Sequence, residues 1–442
     1  MSLQTNTPIP KDIPLDLPLP EWLLITILIF SFLLHIIFVN LMVGGSIVTL
    51  WAEIKGRKNR DYDIFAFEVA KTITVNKSIA VVLGVAPLLS INTLYTVYFY
   101  TANSLTGIAW ILIIPLVTIA FLLTYLHKYT WTAMANYKSL HIAIIGLSVV
   151  IFMFIPLIFL TNVNLMMFPE KWGTVKGFLS ALILPNVFPR YLEFLGACLT
   201  VSGVFIVWYN ARKHYDVQTI YKSIGRLELK KIGYSIAIIG LGMQILFGIL
   251  VLFTLPAKGM RFEIIQLMVA AGSLLIISLW WVWKSLQADS KGIDRHFWKI
   301  VASIGLFMVF YGSSRQFYRQ NALEKHQKLM HERTEVFREM SREARENPVE
   351  EEVLELDPAL GDLAKGTALF QQNCGGCHKP FEKLVGPPVK EMSSIYKGKD
   401  AELKKWIVSP GKKRADMPQM PGFPQLSQDN LTEIAKYIMS IK

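Results

Sequence analysis

Long apolar runs constrain this chain more than any other feature of its sequence. Before about residue 319 there are eight runs long enough to cross a bilayer, which takes about 20 mainly apolar residues in a helix. They lie near 21–51, 78–101, 108–126, 140–168, 187–211, 231–255, 263–283 and 297–318. These runs predict an all-α fold, namely a polytopic membrane bundle of eight helices.

Basic residues are distributed unevenly between the loops that join these runs. Loops after the first, third, fifth and seventh runs carry fifteen Lys and Arg residues, against five in the loops between them. Because cytoplasmic loops are enriched in Lys and Arg, the basic loops are predicted to be cytoplasmic. Eight spans then place both termini on the outer side. The net charge of +12 follows this pattern and does not indicate a nucleic-acid partner.

A cysteine motif lies near the C-terminal end, where the chain reads Cys374-Gly-Gly-Cys377-His378. This C-x-x-C-H pattern is the attachment motif of a c-type haem, in which two thiols add to the haem vinyl groups. His378 can then bind the iron as one axial ligand. The alternative is a bare redox or zinc pair, but the sequence has no second ligand pair to complete a zinc site.

Two further expectations concern the third cysteine and the membrane side of the haem motif. Cys198 lies in the fifth run and is expected to pack as a small hydrophobic residue. Haem is attached to C-x-x-C-H motifs on the outer side of the bacterial inner membrane. The motif therefore agrees with the orientation inferred from the loops, and the bacterial inner membrane is the expected location.

A methionine-containing loop follows the cysteine motif by about forty residues, between Met417 and Ser427. A methionine in a Pro-rich loop before a terminal amphipathic helix resembles the distal-ligand loop of small class I cytochromes c. The resemblance covers residues 361–442 and implies that His378 and Met420 bind one covalent haem c, with Met417 as the rival of Met420. His/Met ligation leaves no open iron position, so the domain should pass electrons and bind no substrate.

A charged segment lies between the apolar part of the chain and the part that carries the cysteine motif. Residues 319–360 contain opposite charges at helical spacing, and Pro348 would end such a helix. The predicted organisation is therefore a membrane domain at 1–318, a charged helical linker at 319–360 and a cytochrome c domain at 361–442.

Ionisable residues at membrane depth are the first candidates for chemistry within the bundle. His35 lies about fourteen residues into the first run and is the only histidine deep in any run. His127 and His141 fall at the predicted cytoplasmic ends of the third and fourth runs, where solvated histidines are ordinary. A lone buried histidine is more often hydrogen-bonded in a core than bound to a cofactor.

The segment that starts at His35 and ends at Ser46 resembles the first span of the haem-bearing subunit I of cytochrome bd quinol oxidases. In that family a histidine in this setting binds haem. Residues 84–86, 159–169 and 188–195 are also similar to that family. The resemblance covers residues 20–285 and implies a quinol-oxidising, haem-containing bundle as ancestor, with His35 as the candidate ligand of a haem b.

Three departures from that family limit this interpretation. Glu193 stands where the family has the histidine that binds its quinol-side haem, and residues 108–126 contain no Asp or Glu. The family's long quinol-binding loop is reduced to residues 256–261. These departures argue against an oxygen-reducing pair of haems. They leave at most one haem b on His35, with a Met, a Glu or a residue of a partner subunit as second ligand.

The sequence thus predicts a component of a respiratory oxidoreductase that lies in membrane lipid beside other subunits of the complex. It would link a quinol pool or another membrane redox partner to a periplasmic carrier. Two alternatives stay open: a divergent bd-like terminal oxidase with a fused cytochrome c as donor, and a haem-free scaffold that tethers the cytochrome.

A group of basic residues flanks the two ligand loops of the C-terminal domain. Such a basic rim could steer an acidic carrier, although a solvated face without a partner would look the same. The rim consists of Lys379, Lys383, Lys412, Lys413 and Arg414.

Overall fold

The computed structural model describes residues 17–346, 363–412, 414 and 417–441. Of residues 73–77, 340, 341 and 343–346 it describes the backbone only. The chain divides into two compact units, one that ends at Val336 and one that begins at Phe337. Within the described residues the ordered elements are helices, with no strand, which confirms the all-α prediction.

In the part of the chain that is described, twelve α-helices begin in the first unit, and the last of them continues beyond its end. They are α1 (Glu21–Gly56), α2 (Arg60–Leu94), α3 (Thr96–Thr106), α4 (Ile108–Ile111), α5 (Ile113–Tyr129), α6 (Lys138–Leu165), α7 (Phe178–Leu182), α8 (Val187–Ala211), α9 (Val217–Ile220), α10 (Arg226–Thr254), α11 (Phe262–Gln287) and α12 (Phe297–Glu346).

Seven stretches of the described helices are long and apolar enough to cross a membrane, and a bent pair makes a possible eighth. This agrees with the prediction of a polytopic bundle. The seven are Glu21–Gly56, Ile108–Tyr129, Ala135–Leu165, Val187–Ala211, Arg226–Thr254, Phe262–Gln287 and Phe297–Glu339.

The second predicted span is not one straight helix. Ser78–Leu94 and Thr96–Thr106 meet at an angle of 108°. The backbone leaves the helical region at Tyr95, with φ −130° and ψ 37°. The Tyr95 side chain is buried, and its hydroxyl accepts a hydrogen bond of 2.7 Å from Gln316 Nε2 of α12. The bend therefore coincides with a buried contact to another helix.

Glycines allow three of the membrane-length helices to approach closely. A Cβ at Gly44 of α1 would lie 2.1 Å from the carbonyl oxygen of Cys198 in α8. A Cβ at Gly203 of α8 would lie 2.5 Å from the carbonyl oxygen of Gly233 in α10. Small residues permit such backbone contact between membrane helices. Cys198 is fully buried at this crossing, which confirms its role as a packed residue.

Helix α12 runs without a break from Phe297 to Glu346. The segment predicted as the linker begins at Arg319, inside this helix, and its Leu323 and Met330 are buried in the first unit. Tyr98 of α3 and His326 of α12 are hydrogen-bonded at 2.9 Å. Residues 347–360 of the predicted linker lie outside the described residues.

The second unit contains four described helices around one hydrophobic core. Its first and last helices cross at Gly366, where a Cβ would lie 2.2 Å from the carbonyl oxygen of Glu433. The rings of Phe370 and Tyr437 pack at the same crossing with centroids 4.9 Å apart. The four helices are α13 (Ala364–Asn373), α14 (Val389–Ile395), α15 (Asp400–Val408) and α16 (Gln428–Ser440).

Candidate functional site

The cysteine motif forms a tight turn directly after α13. The amides of Cys377 and His378 donate to the carbonyl oxygen of Cys374 at 3.1 and 3.0 Å. Cys374 is buried and Cys377 is exposed. Burial raises the pKa of the Cys374 thiol to about 11. One thiol thus faces the core of the unit, and the other faces its surface.

The imidazole of His378 is held by the chain that follows the motif. Its Nδ1 lies 2.8 Å from the carbonyl oxygen of Pro387. Because a carbonyl oxygen only accepts hydrogen bonds, Nδ1 carries the proton, and Nε2 keeps its lone pair in the neutral ring. Gly386 packs against the ring, and a Cβ there would lie 2.3 Å from Cε1. A ligating histidine is commonly held in this way, so these residues fit a c-type haem.

The two candidate distal ligands differ in their surroundings. Met417 is buried, with 8% of its surface exposed, and Met420 is half-buried. After them, Ser427 caps α16 by accepting a hydrogen bond of 3.2 Å from the amide of Asn430. Both methionines precede Pro residues in this loop. The choice of Met420 over Met417 stays a prediction.

In the first unit, His35 of α1 packs against α2. Its Nδ1 lies 2.8 Å from the carbonyl oxygen of Ala80, so Nδ1 carries the proton here as well. A Cβ at Gly84 would lie 2.8 Å from Cε1 of the ring. The ring is partly exposed, and Nε2 is the nitrogen that remains able to bind a metal. The arrangement therefore fits an axial ligand of a haem b, and also fits a histidine that is only hydrogen-bonded.

Glu193, which replaces the family's histidine, has a different environment. It is buried in α8 and accepts a hydrogen bond of 2.6 Å from the hydroxyl of Tyr311 in α12. Arg190, one turn earlier, is also buried. No described contact joins Glu193 to His35. The structure therefore gives no support to Glu193 as the second ligand of a haem on His35.

The expectation of solvated histidines at the ends of the third and fourth runs is wrong. His127 and His141 are 1% and 0% exposed, and both contact the fully buried carboxylate of Glu53. Burial at a helix end depends on a tertiary partner, in this case a residue more than seventy positions away in the sequence. No local signal in the sequence marks Glu53 as that partner.

Comparison with known proteins gives a result for each unit. The cytochrome c family model matches residues 363–442. These residues form a cytochrome c domain. The domain implies a haem c, and the positions of Cys374 and Cys377 are consistent with one. A comparison with curated proteins finds no match.

The chain is also similar to a solved structure, described as the structure of bd oxidase from Geobacillus thermodenitrificans. The TM-score is 0.53 at 14% sequence identity, and the match covers 68% of this chain and 87% of that chain. At this identity the likeness shows a shared fold. With the apolar helices and the cytochrome c domain, it supports a membrane protein of electron transfer.

Proposed function

We propose that this chain is an electron-transfer subunit of a respiratory complex in the bacterial inner membrane. Its membrane domain would accept electrons from quinol or a membrane redox partner, and its cytochrome c domain would pass them to a periplasmic carrier. The observation that carries the proposal is the shared environment of His35 and His378. Each ring has Nδ1 on a backbone carbonyl at 2.8 Å and a glycine against Cε1.

In the cytochrome c domain, Cys374 and Cys377 would hold the haem covalently, and His378 and Met420 would bind its iron. When bound, the haem supplies one-electron redox chemistry. The Pro387 carbonyl fixes the tautomer of His378, and Gly386 leaves room for the ring. A methionine as second ligand raises the reduction potential, which suits a domain that receives electrons from the membrane.

In the membrane domain, His35 would bind one haem b through Nε2. The Ala80 carbonyl holds the ring through Nδ1, and Gly84 provides space beside it. Because Glu193 is engaged with Tyr311, we infer that the second ligand is a methionine or a residue of a partner subunit. The partly exposed ring of His35 is compatible with a ligand from outside the chain.

The proposed orientation rests on the basic loops. The helix ends that carry most Lys and Arg residues would face the cytoplasm, so that the N-terminus and the cytochrome c domain would be periplasmic. Lys138, which forms an ion pair with Glu53, would lie on the cytoplasmic side under this assignment.

A haem-free scaffold is the second candidate function, and one observation favours it. The hydrogen bond from His35 to Ala80 satisfies one ring nitrogen without any cofactor. A terminal oxidase has less support, because the span at Ile108–Tyr129 contains no Asp or Glu and Glu193 is held by Tyr311.

Counting haems tests the proposal. The intact chain is purified with its partners, and haem b and haem c are quantified by the pyridine haemochrome spectrum. We expect one haem b per haem c, with the haem b lost in His35→Ala and kept in the control His331→Ala, an exposed histidine. Haem c alone would favour the scaffold, and two or more haems b would favour the oxidase.

A further inference from the structure

Three buried polar side chains from three helices meet at one end of the first unit. Glu53 lies near the end of α1, His127 near the end of α5, and His141 in the first turn of α6. They are 0%, 1% and 0% exposed. One potential ligand atom of each lies within 4.8 Å of those of the other two. Neither haem proposal uses these residues.

The hydrogen bonds of the cluster define which ring nitrogens face the carboxylate. Nε2 of His127 lies 2.7 Å from Oε2 of Glu53, and Nδ1 of His141 lies 2.5 Å from Oε1. Nε2 of His141 lies 2.8 Å from the carbonyl oxygen of His127. A carbonyl only accepts, so the proton of a neutral His141 is on Nε2, and the lone pair of Nδ1 then points at a carboxylate oxygen.

The Nδ1 lone pair of His141 and the Oε1 lone pair of Glu53 repel unless a proton or a cation lies between them. A histidine ligand of a metal commonly donates its other ring N–H to a backbone carbonyl, as Nε2 of His141 does toward His127. The position of His141 therefore suits a metal ligand that binds through Nδ1.

We propose that Glu53, His127 and His141 bind a divalent ion of the zinc class. Two imidazoles and one carboxylate, with a fourth position for water, form a ligand set that Zn²⁺ accepts. The ion would lie between side chains that are now in direct hydrogen bonds. Ligand atoms at about 2.0–2.2 Å from a tetrahedral ion are about 3.3–3.6 Å apart, so each histidine nitrogen needs to move away from its Glu53 oxygen by about 1 Å.

Neighbouring residues hold the two rings in place. The imidazoles stack on each other with centroids 4.1 Å apart, and the Trp131 ring meets both edge-on at 5.0 Å. These contacts fix the rings in their hydrogen-bonded positions. Because the lone pair of an imidazole nitrogen lies in the ring plane, one ring must tilt out of the stack for both nitrogens to point at a shared ion.

Lys138 is the positive charge nearest the cluster. Its Nζ lies 2.8 Å from Oε1 of Glu53 and 2.5 Å from Oδ1 of Asp63, and it stacks over the Trp131 ring at 4.3 Å. Lys138 can therefore stay paired with Asp63 when an ion takes the Glu53 oxygen. The ion would then join the ends of α1, α5 and α6.

Zinc content tests the site independently of any haem b. The intact purified chain is stripped with a chelator, reloaded with Zn²⁺ and freed of unbound metal, and zinc is measured per haem c. We expect one zinc per haem c in the wild type. His127→Ala, His141→Ala and Glu53→Gln should each weaken binding by more than about 100-fold, because even an outer partner of a ligand is worth about 10–100-fold.

His214→Ala is the matched control, since this histidine is exposed and should keep full binding. Thermal unfolding of each variant shows whether the first unit remains folded. Zinc K-edge X-ray absorption of the wild type alone should show two imidazole nitrogens and a carboxylate oxygen at about 2.0–2.2 Å. Equal zinc in the wild type and the three site variants, or a wild-type spectrum without two imidazoles, would overturn the proposal.

Discussion

His35 and His378 lie in different units of the chain, yet their rings have the same local support. Both use Nδ1 in a hydrogen bond of 2.8 Å to a backbone carbonyl, and both have a glycine against Cε1. They differ in what surrounds them. His378 follows two cysteines that can hold a haem covalently and is 7% exposed, whereas His35 is partly exposed on an apolar helix with no such anchor.

The difference shows how far local geometry determines a cofactor site. The same ring support is compatible with a ligand in either unit, and the covalent anchor makes the haem c assignment the firmer of the two. A haem b at His35 would have to be held by packing in the bundle and by a second ligand.

The largest effect is expected at His378. His378→Ala should abolish the normal iron ligation of haem c while the haem stays attached through Cys374 and Cys377. The absorption spectrum of the purified protein reports this loss. Lys379→Ala, which changes an exposed neighbour, is the control and should leave the spectrum unchanged. Normal ligation in His378→Ala would show that another residue binds the iron.

The two glycines provide a direct comparison of the two rings. Gly386→Ala would place a Cβ 2.3 Å from Cε1 of His378, and Gly84→Ala would place one 2.8 Å from Cε1 of His35. Overpacking of this kind typically destabilises by about 1–3 kcal/mol. We expect Gly386→Ala to disturb haem c ligation strongly, and Gly84→Ala to lower the haem b content to a smaller extent.

Gly376→Ala and Gly242→Ala are the controls for these variants, because nothing lies within 4 Å of an added Cβ at either position. Both should keep the wild-type spectrum and thermal stability. If Gly84→Ala keeps all its haem b while Gly386→Ala loses its ligation, the likeness between the two histidines has no functional meaning.

Parts of the fold could be predicted because the signal is local. The continuous apolar run at 187–211 corresponds to α8, Val187–Ala211. The bend at Tyr95 could not be predicted, because neither Pro nor Gly occurs there. The contact that accompanies the bend comes from Gln316 of a distant helix. The same limit applies to Glu53, whose partners lie on two later helices. The cysteine motif is recognisable because its three residues lie within five consecutive positions.

A smaller effect concerns the distal ligand of the cytochrome c domain. Met420→Ala should lower the reduction potential of haem c by about 0.1 V or more, because axial ligands shift haem potentials over a range of about 0.8 V. Met417→Ala should leave it close to the wild-type value. A redox titration of each variant measures this. The reverse result would assign the buried Met417 as the ligand.

The smallest effect should be seen in docking to a soluble carrier. Lys379, Lys383, Lys412 and Arg414 are exposed, whereas Lys413 lies outside the described residues. Electron transfer to an acidic carrier should slow by at least about threefold as salt shortens the Debye length from about 30 to 8 Å. Transfer within the chain should not respond to salt. A rate of electron transfer to the carrier that does not change with ionic strength would show that the rim is only a solvated face.

The most direct test follows electrons from the membrane side to haem c. The intact chain with its partners is placed in lipid vesicles and mixed with a reduced quinone, and haem c reduction is followed by rapid absorption spectroscopy. We predict that His35→Ala slows this reduction at least about tenfold, while ascorbate, added from the haem c side, reduces both proteins equally. Equal quinol-driven rates in the wild type and His35→Ala would contradict a relay through His35.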